Sequence, residues 1–194
     1  MKKIVFATHN DHKLKEIRNI LKGNYEVLGL KDIGFFDEVD ETGTTLHENA
    51  SIKSRTIYEK YNIDCFSDDT GLLVDALDGA PGVYSARYAG EEANANNNII
   101  KLLSRLEGSE NRRAHFSTVI SLIIGGKEYF FEGKVFGNII ESKSGEGGFG
   151  YDPVFIPDGY KTTFAEMSPE LKNSISHRGI AVTKLSVFLN DFKF

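Results

Sequence analysis

KIVFATHNDHKLKEIRNILKGNYEVLGL, residues 3–30, decides the class of fold. Lys3–Thr8 is a short apolar run that reads as a buried strand. Thr8-His9-Asn10-Asp11 then supplies helix-capping residues, and Leu14, Ile17, Ile20 and Leu21 recur at helical spacing over Asp11–Lys22. Gly23 ends that run, and Tyr25–Leu30 reads as a second strand. Strand, helix and strand in such quick succession are the opening of an α/β protein.

Working outward, an acidic loop over Asp37–Thr44 contains Glu41-Thr42-Gly43, and Thr45 with Glu48 forms a capping box for a helix running to about Tyr61. Ile63–Ser67 reads as a short strand that stops in Asp68-Asp69-Thr70-Gly71. Gly71–Leu77 is a further apolar run, followed by a Gly- and Pro-containing loop over Asp78–Gly90. Glu91–Leu106 is predicted helical, with Ile99, Ile100, Leu102, Leu103 and Leu106 as its apolar face. His115–Ile124 and Lys127–Ile140 flank Gly125-Gly126, a two-residue hairpin signal. A glycine-rich loop over Ser142–Asp152, a brief strand over Pro153–Ile156, a helix start at Ser168-Pro169-Glu170 and a last helix over Arg178–Phe192 complete the chain. The prediction is a single α/β domain over residues 1–194, a mixed β-sheet flanked by helices and without internal repeat. The hairpin arms are long enough to carry the sheet beyond its first layer, so two lobes with a central cleft are expected.

The 194 residues are 40% hydrophobic and 26% charged, ordinary values for a globular core. A net charge of −5 leaves no electrostatic footprint for nucleic acid. Apolar runs such as Val119–Ile124 are too short to span a bilayer, so no membrane partner is expected. MKKIVFATHN passes directly into polar residues and does not read as a signal peptide. The single cysteine, Cys65, lies in an apolar run, which fits a buried thiol in a reducing cytoplasm.

Four constellations could carry chemistry. Thr8 to Lys13 joins a strand to a helix N-terminus, where backbone N–H groups and a lysine suit phosphate; plain helix capping explains the same residues. It is not the glycine-lysine loop of P-loop enzymes. Asp68, Asp69 and the more distant Glu41 could hold magnesium and activate water; a polar turn cap is the alternative. Strand alternation sends Asp68 and Asp69 to opposite faces, so one of the two is expected in the site. Gly145 to Gly150 spells GxGxxG, but it lies late in the chain and runs into an extended segment, which excludes a dinucleotide fold. Phe149 among those glycines could instead offer its ring face to a base, or be a core phenylalanine. Lys172, His177 and Arg178 gather donors that could read an acceptor on a base; separately each suits a solvated or structural role.

THNDHK (8–13), the ETG–ENA–K run through Lys53, SDDTGL (67–72), PGVYSARYAG (81–90), GGFGYDPVF (147–155) and ELKNSISHRG (170–179) occur in a specific order. Nearly the whole chain in this way resembles the inosine triphosphate pyrophosphatase family, which clears non-canonical purine nucleotides. The resemblance implies an elongated α/β fold, a homodimer, Mg2+ as cofactor, and hydrolysis of ITP, dITP or XTP to monophosphate and pyrophosphate. By motif match it makes Thr8, His9, Asn10, Asp11, His12, Lys13 and Lys53 triphosphate ligands. Asp69 becomes proton acceptor and metal carboxylate, Glu41 a second metal carboxylate and Thr70 a substrate contact. Phe149, Gly150, Tyr151, Asp152, Lys172, His177 and Arg178 match the nucleobase pocket. Asp11-His12 stands where many relatives have glycine before the lysine, which puts the local approach of phosphate in question. A donor from Lys172 or Arg178 would pair with a 6-oxo purine and be left unpaired by adenine. A pyrophosphatase for modified pyrimidine nucleotides and a non-catalytic nucleotide sensor are the rival readings.

Overall fold

The structure, a computed structural model, describes residues 2–22 and 25–192. Gly23, expected to end the first helix, lies outside the described residues.

Strand β1 (Lys2–Phe6) leads into helix α1 (Asp11–Ile20), and the chain returns as β2 (Tyr25–Gly29), parallel to β1 with Ile4 opposite Val27. Helix α2 (Leu46–Tyr61) connects to β3 (Cys65–Val74), which lies parallel to β1 on its other side, with Val5 opposite Cys65. A parallel return requires such a helical crossover, which is why two capped helices early in the sequence specify a parallel start to the sheet. Beyond it lie β4 (Pro81–Gly82), helix α3 (Ala95–Arg105), β5 (Arg113–Ile124), β6 (Lys127–Ile139) and β7 (Phe155–Pro157). Helices α4 (Pro169–Ile175) and α5 (His177–Asp191) follow. The strand order is β2-β1-β3-β5-β6-β7, with β4 paired to β3. Since β4 and β7 run antiparallel to their partners, the sheet is mixed and the class is α/β, as the sequence predicts.

The chain divides into two compact units. The first comprises Met1–Asp69, Thr118–Gly133 and Arg178–Phe194; the second comprises Thr70–Ser117 and Lys134–His177. Strands β3, β5 and β6 contribute residues to both. Within the first unit each face of the sheet has its own core. Ile4, Phe6 and Phe66 pack with Ile17 and Leu21 of α1 and with Ala181, Val182 and Leu185 of α5. Phe6 and Phe66 stack at 4.7 Å between ring centroids. On the other face Val5, Ala7 and Cys65 pack with Ile57 of α2. Burial pushes the Cys65 thiol up to about 12, as befits a closed-in thiol. In the second unit Leu72, Val74, Leu102, Phe116, Phe155 and Phe164 form the core.

Among the boundaries that differ from the sequence expectation, three have a clear physical cause. Asp68-Asp69-Thr70-Gly71 does not stop a strand: β3 runs straight through it, because the pleat places each acid against a cation and none needs a turn. Helix α3 begins at Ala95 and not at Glu91, since Asn94 caps the Asn97 N–H and Ala93 sits in the left-handed region at φ 49°. Ile100, assigned to its apolar face, is 58% exposed, whereas Ile99, Leu102 and Leu106 are buried. The strand predicted from Pro153 begins at Phe155, after a 3-10 turn over Asp152–Val154. The two glycine residues of the hairpin take the positive φ values, 55° and 76°, that its turn demands.

Candidate active site

Strand β3 sorts its side chains by the two-residue period of the pleat. Cys65 packs on the α2 side, Phe66 on the α1 and α5 side, and Ser67 donates to the Ala50 carbonyl of α2 at 2.5 Å. Asp68 therefore faces α1 and α5, and Asp69 faces α2. Asp68 Oδ1 accepts from Lys13 Nζ at 2.9 Å and Oδ2 from Arg178 Nε at 3.2 Å. Arg178 also pairs with Glu16 at 2.6 Å. Asp69 Oδ1 accepts from Lys53 Nζ at 3.0 Å, and the same ammonium lies 3.2 Å from Glu41.

The electrostatics follow from this pairing. Burial opposes ionisation of Asp68, but Lys13, Arg178 and Lys53 outweigh it and hold the carboxyl well below the usual carboxylate range. Burial lowers the Lys13 ammonium, aided by Lys53 and Arg178 and resisted by Asp68. Burial, with Glu41 adding to it, pushes Asp69 upward against Lys53. Lys53 stays charged, because Asp69, Glu41 and Asp68 more than offset its own burial. Three cations thus face four carboxylates, so the cluster by itself is not set up to receive a polyanion. Two carboxylates converging on one ammonium, one of them partly exposed, form a donor set that fits a hard divalent cation keeping waters and phosphate oxygens. Among the described residues no group of three or more His, Cys, Asp and Glu could enclose a metal by itself.

The segment from Thr8 to Lys13 is built as a cap. Asn10 Oδ1 accepts the His12 and Lys13 backbone N–H groups at 3.0 and 3.1 Å, and Thr8 Oγ1 accepts the Asn10 N–H at 3.1 Å. His9 Nε2 bonds the Asp37 carbonyl at 2.8 Å and its ring lies over Phe35. Asp11 is exposed and pairs with Lys31, and His12 is exposed in the first turn of α1. Of the two roles posed by the sequence, the contacts seen here are those of capping. Asn10 occupies two helix N–H groups, and Lys13 brings its charge inward to Asp68.

The second unit holds the aromatic and donor set. Phe149 is half-buried, with Lys172 Nζ 4.8 Å from its ring centroid. Asp152 Oδ2 accepts from Lys172 Nζ at 2.7 Å and from the Phe149 N–H at 2.7 Å. A Cβ at Gly148 would collide with the Asp152 carboxylate, and its φ of +70° also requires glycine. Gly150 is half-buried with φ +62°. Tyr151 is buried, its hydroxyl donating to the Ser85 carbonyl at 2.8 Å. The His177 ring stacks on Phe116 at 4.5 Å. Thr70, the first residue of this unit, is half-buried on β3. Arg178, grouped by sequence with Lys172 and His177, instead belongs to the first unit, where Asp68 and Glu16 hold it.

Comparison with known proteins settles the family. The Ham1 family pattern matches residues 4–188. The chain belongs to the Ham1 family. It is 53% identical over 190 residues to a dITP/XTP pyrophosphatase of Porphyromonas gingivalis, covering 97% of this chain and 98% of that one. It is 51% identical over 183 residues to the dITP/XTP pyrophosphatase of Flavobacterium johnsoniae, covering 94% and 95%. Among solved structures, the Staphylococcus aureus Ham1 protein superposes with a TM-score of 0.89 at 43% identity, over 99% of this chain and 100% of the other. A HAM1 protein from Coxiella burnetii gives 0.91 at 36%, with the same coverage.

Two members of this Ham1 cluster escape the sequence reading. Glu16 lies three residues after Lys13, and Asn49 four residues before Lys53, each on the same helix face as its lysine. Helical spacing from the two lysines was the signal that could have found them.

Proposed function

We propose that this Ham1-family chain hydrolyses non-canonical purine nucleoside triphosphates, with dITP and XTP foremost, to the monophosphate and pyrophosphate. The observation that carries the reading is the convergence of Asp69 and Glu41 on Lys53, in a chain about half identical to dITP/XTP pyrophosphatases along nearly its whole length.

Asp69 takes the proton of a water that attacks the α-phosphorus. Its upward shift from burial and Glu41 makes it a better proton acceptor near neutrality than an ordinary aspartate. Lys53 and Lys13 offset charge that develops on the phosphoryl oxygens as pyrophosphate leaves. Thr8 to His12 line the approach of the triphosphate. Glu41 and Asp69 would hold Mg2+, which when bound supplies Lewis-acid stabilisation of the phosphate oxygens. The second unit receives the base: Phe149 stacks on it, with Gly150, Tyr151 and Asp152 shaping the loop and His177 backing it. Lys172 donates to the 6-oxo group. Adenine presents a donor at that position, so the Lys172 N–H aimed there meets no acceptor on the base. Arg178 acts from the first unit, through its hold on Asp68. Thr70 contacts substrate directly after the proton acceptor. The working form is a cytoplasmic homodimer of single pyrophosphatase domains, each consisting of the two units.

Product analysis tests the reading. Incubated with dITP and Mg2+, the enzyme is expected to yield dIMP and pyrophosphate, and chelation with EDTA to stop the reaction. Orthophosphate as the first product would contradict it. Binding of dITP without turnover would favour a sensor.

A further inference from the structure

Asn49 is a buried residue of α2, 1% exposed, and both ends of its side-chain amide are engaged. Oδ1 accepts the Gly43 backbone N–H at 2.8 Å, and Nδ2 donates to Asp69 Oδ2 at 3.4 Å. The partners dictate which end is which, since an N–H requires the oxygen and a carboxylate requires the NH2. Lys53, one helical turn on, takes the other Asp69 oxygen, so α2 grips both oxygens of this carboxylate. Gly43 reaches the amide only because it has no side chain. A Cβ there would lie 2.6 Å from Asn49 Oδ1 and 2.6 Å from the Glu48 Cβ. Gly43 is two residues from Glu41, so one amide ties the loop bearing that acid to the carboxylate that accepts the proton.

We infer that Asn49 is a positioning residue of the hydrolysis, fixing the rotation of the Asp69 carboxylate and the placement of the Glu41 loop. The role rests on the pyrophosphatase reading above. An amide suits it because one donor and one acceptor are needed within a single planar group. The Asp69 contact is at the long end of hydrogen-bond range, so it orients the carboxylate more than it binds it.

Asn49→Asp separates the two arms. It keeps an acceptor for Gly43, loses the donor and sets a like charge beside Asp69. We expect kcat for dITP to fall about tenfold or more in both Asn49→Asp and Asn49→Ala, with KM within about twofold. An independent readout is the 15N-labelled side-chain amide of Asn49 in the metal-free wild type, assigned by its loss in Asn49→Asp. Its resonance is expected to move on Asp69→Asn. A wild-type kcat in Asn49→Asp, or an Asn49 amide indifferent to Asp69→Asn, would overturn the inference. Wild-type enzyme that releases no pyrophosphate from dITP would overturn the underlying reading and the role with it, even where the amide still reports the contact.

Discussion

At the scale of single residues, Asp69 and Asp68 are chemically identical neighbours made different by their surroundings. Asp68 is held by two cations, Lys13 and Arg178, and stays ionised far into acid. Asp69 shares Lys53 with a second carboxylate, Glu41, and burial raises it. One is thereby a fixed anion, and the other is the carboxylate that the proposed mechanism uses as proton acceptor. Asp69→Asn preserves size and hydrogen-bonding capacity but removes basicity, so kcat should fall by about a hundredfold or more while the nucleotide still binds. Steady-state kinetics with dITP, paired with calorimetric titration of the variant, checks this. Turnover close to wild type would remove Asp69 from the catalytic role.

At the scale of elements, α2 is the part that holds the Asp69 carboxylate, through Asn49 and Lys53. Its N-terminus is closed by a capping box in which Glu48 accepts the Thr44 and Thr45 N–H groups at 2.7 and 3.1 Å while Thr45 Oγ1 accepts the Glu48 N–H at 3.1 Å. Those bonds hold the Glu48 carboxyl below its ordinary value. A depressed folded-state value stabilises above the unfolded value of about 4.3 and is lost as the pH falls through the folded one. The gap in Tm between wild type and Glu48→Gln should therefore be largest near neutrality and close below that range. A gap independent of pH would mean that the carboxylate charge contributes nothing to the cap. This box was legible in the sequence because it is local, four residues whose types state their own hydrogen bonds. So were the hairpin glycines and the Ser168-Pro169 helix start. The single strand through Asp68-Asp69 was not, because an acid inside a strand is tolerable only with partners that come from residues 13, 53 and 178. Such distant pairings leave no local trace. The late start of α3 leaves no local sign, because Glu91 and Glu92 favour a helix in isolation while the φ of Ala93 does not.

At the scale of the whole molecule, the two unit boundaries on β3 and α5 fall inside recognisable motifs. SDDTGL gives Asp68 and Asp69 to the first unit and Thr70 to the second, and SISHRG gives His177 to the second and Arg178 to the first. Residues adjacent in sequence thus fall in different units, with Arg178 held by Asp68 and Glu16 and the His177 ring stacked on Phe116. The resemblance of ordered motifs conveyed family and chemistry, whereas the assignment of residues to charge cluster or aromatic set needed the topology. The central claim is that the charged set of the first unit performs the cleavage and that the Phe149–Lys172 set of the second chooses the base. The most direct test is the ratio of kcat/KM for pyrophosphate release from XTP and from ATP, measured side by side with Mg2+. A buried donor matched to a 6-oxo group predicts a preference for XTP of about a hundredfold to ten-thousandfold. Equal values for the two nucleotides would contradict the account.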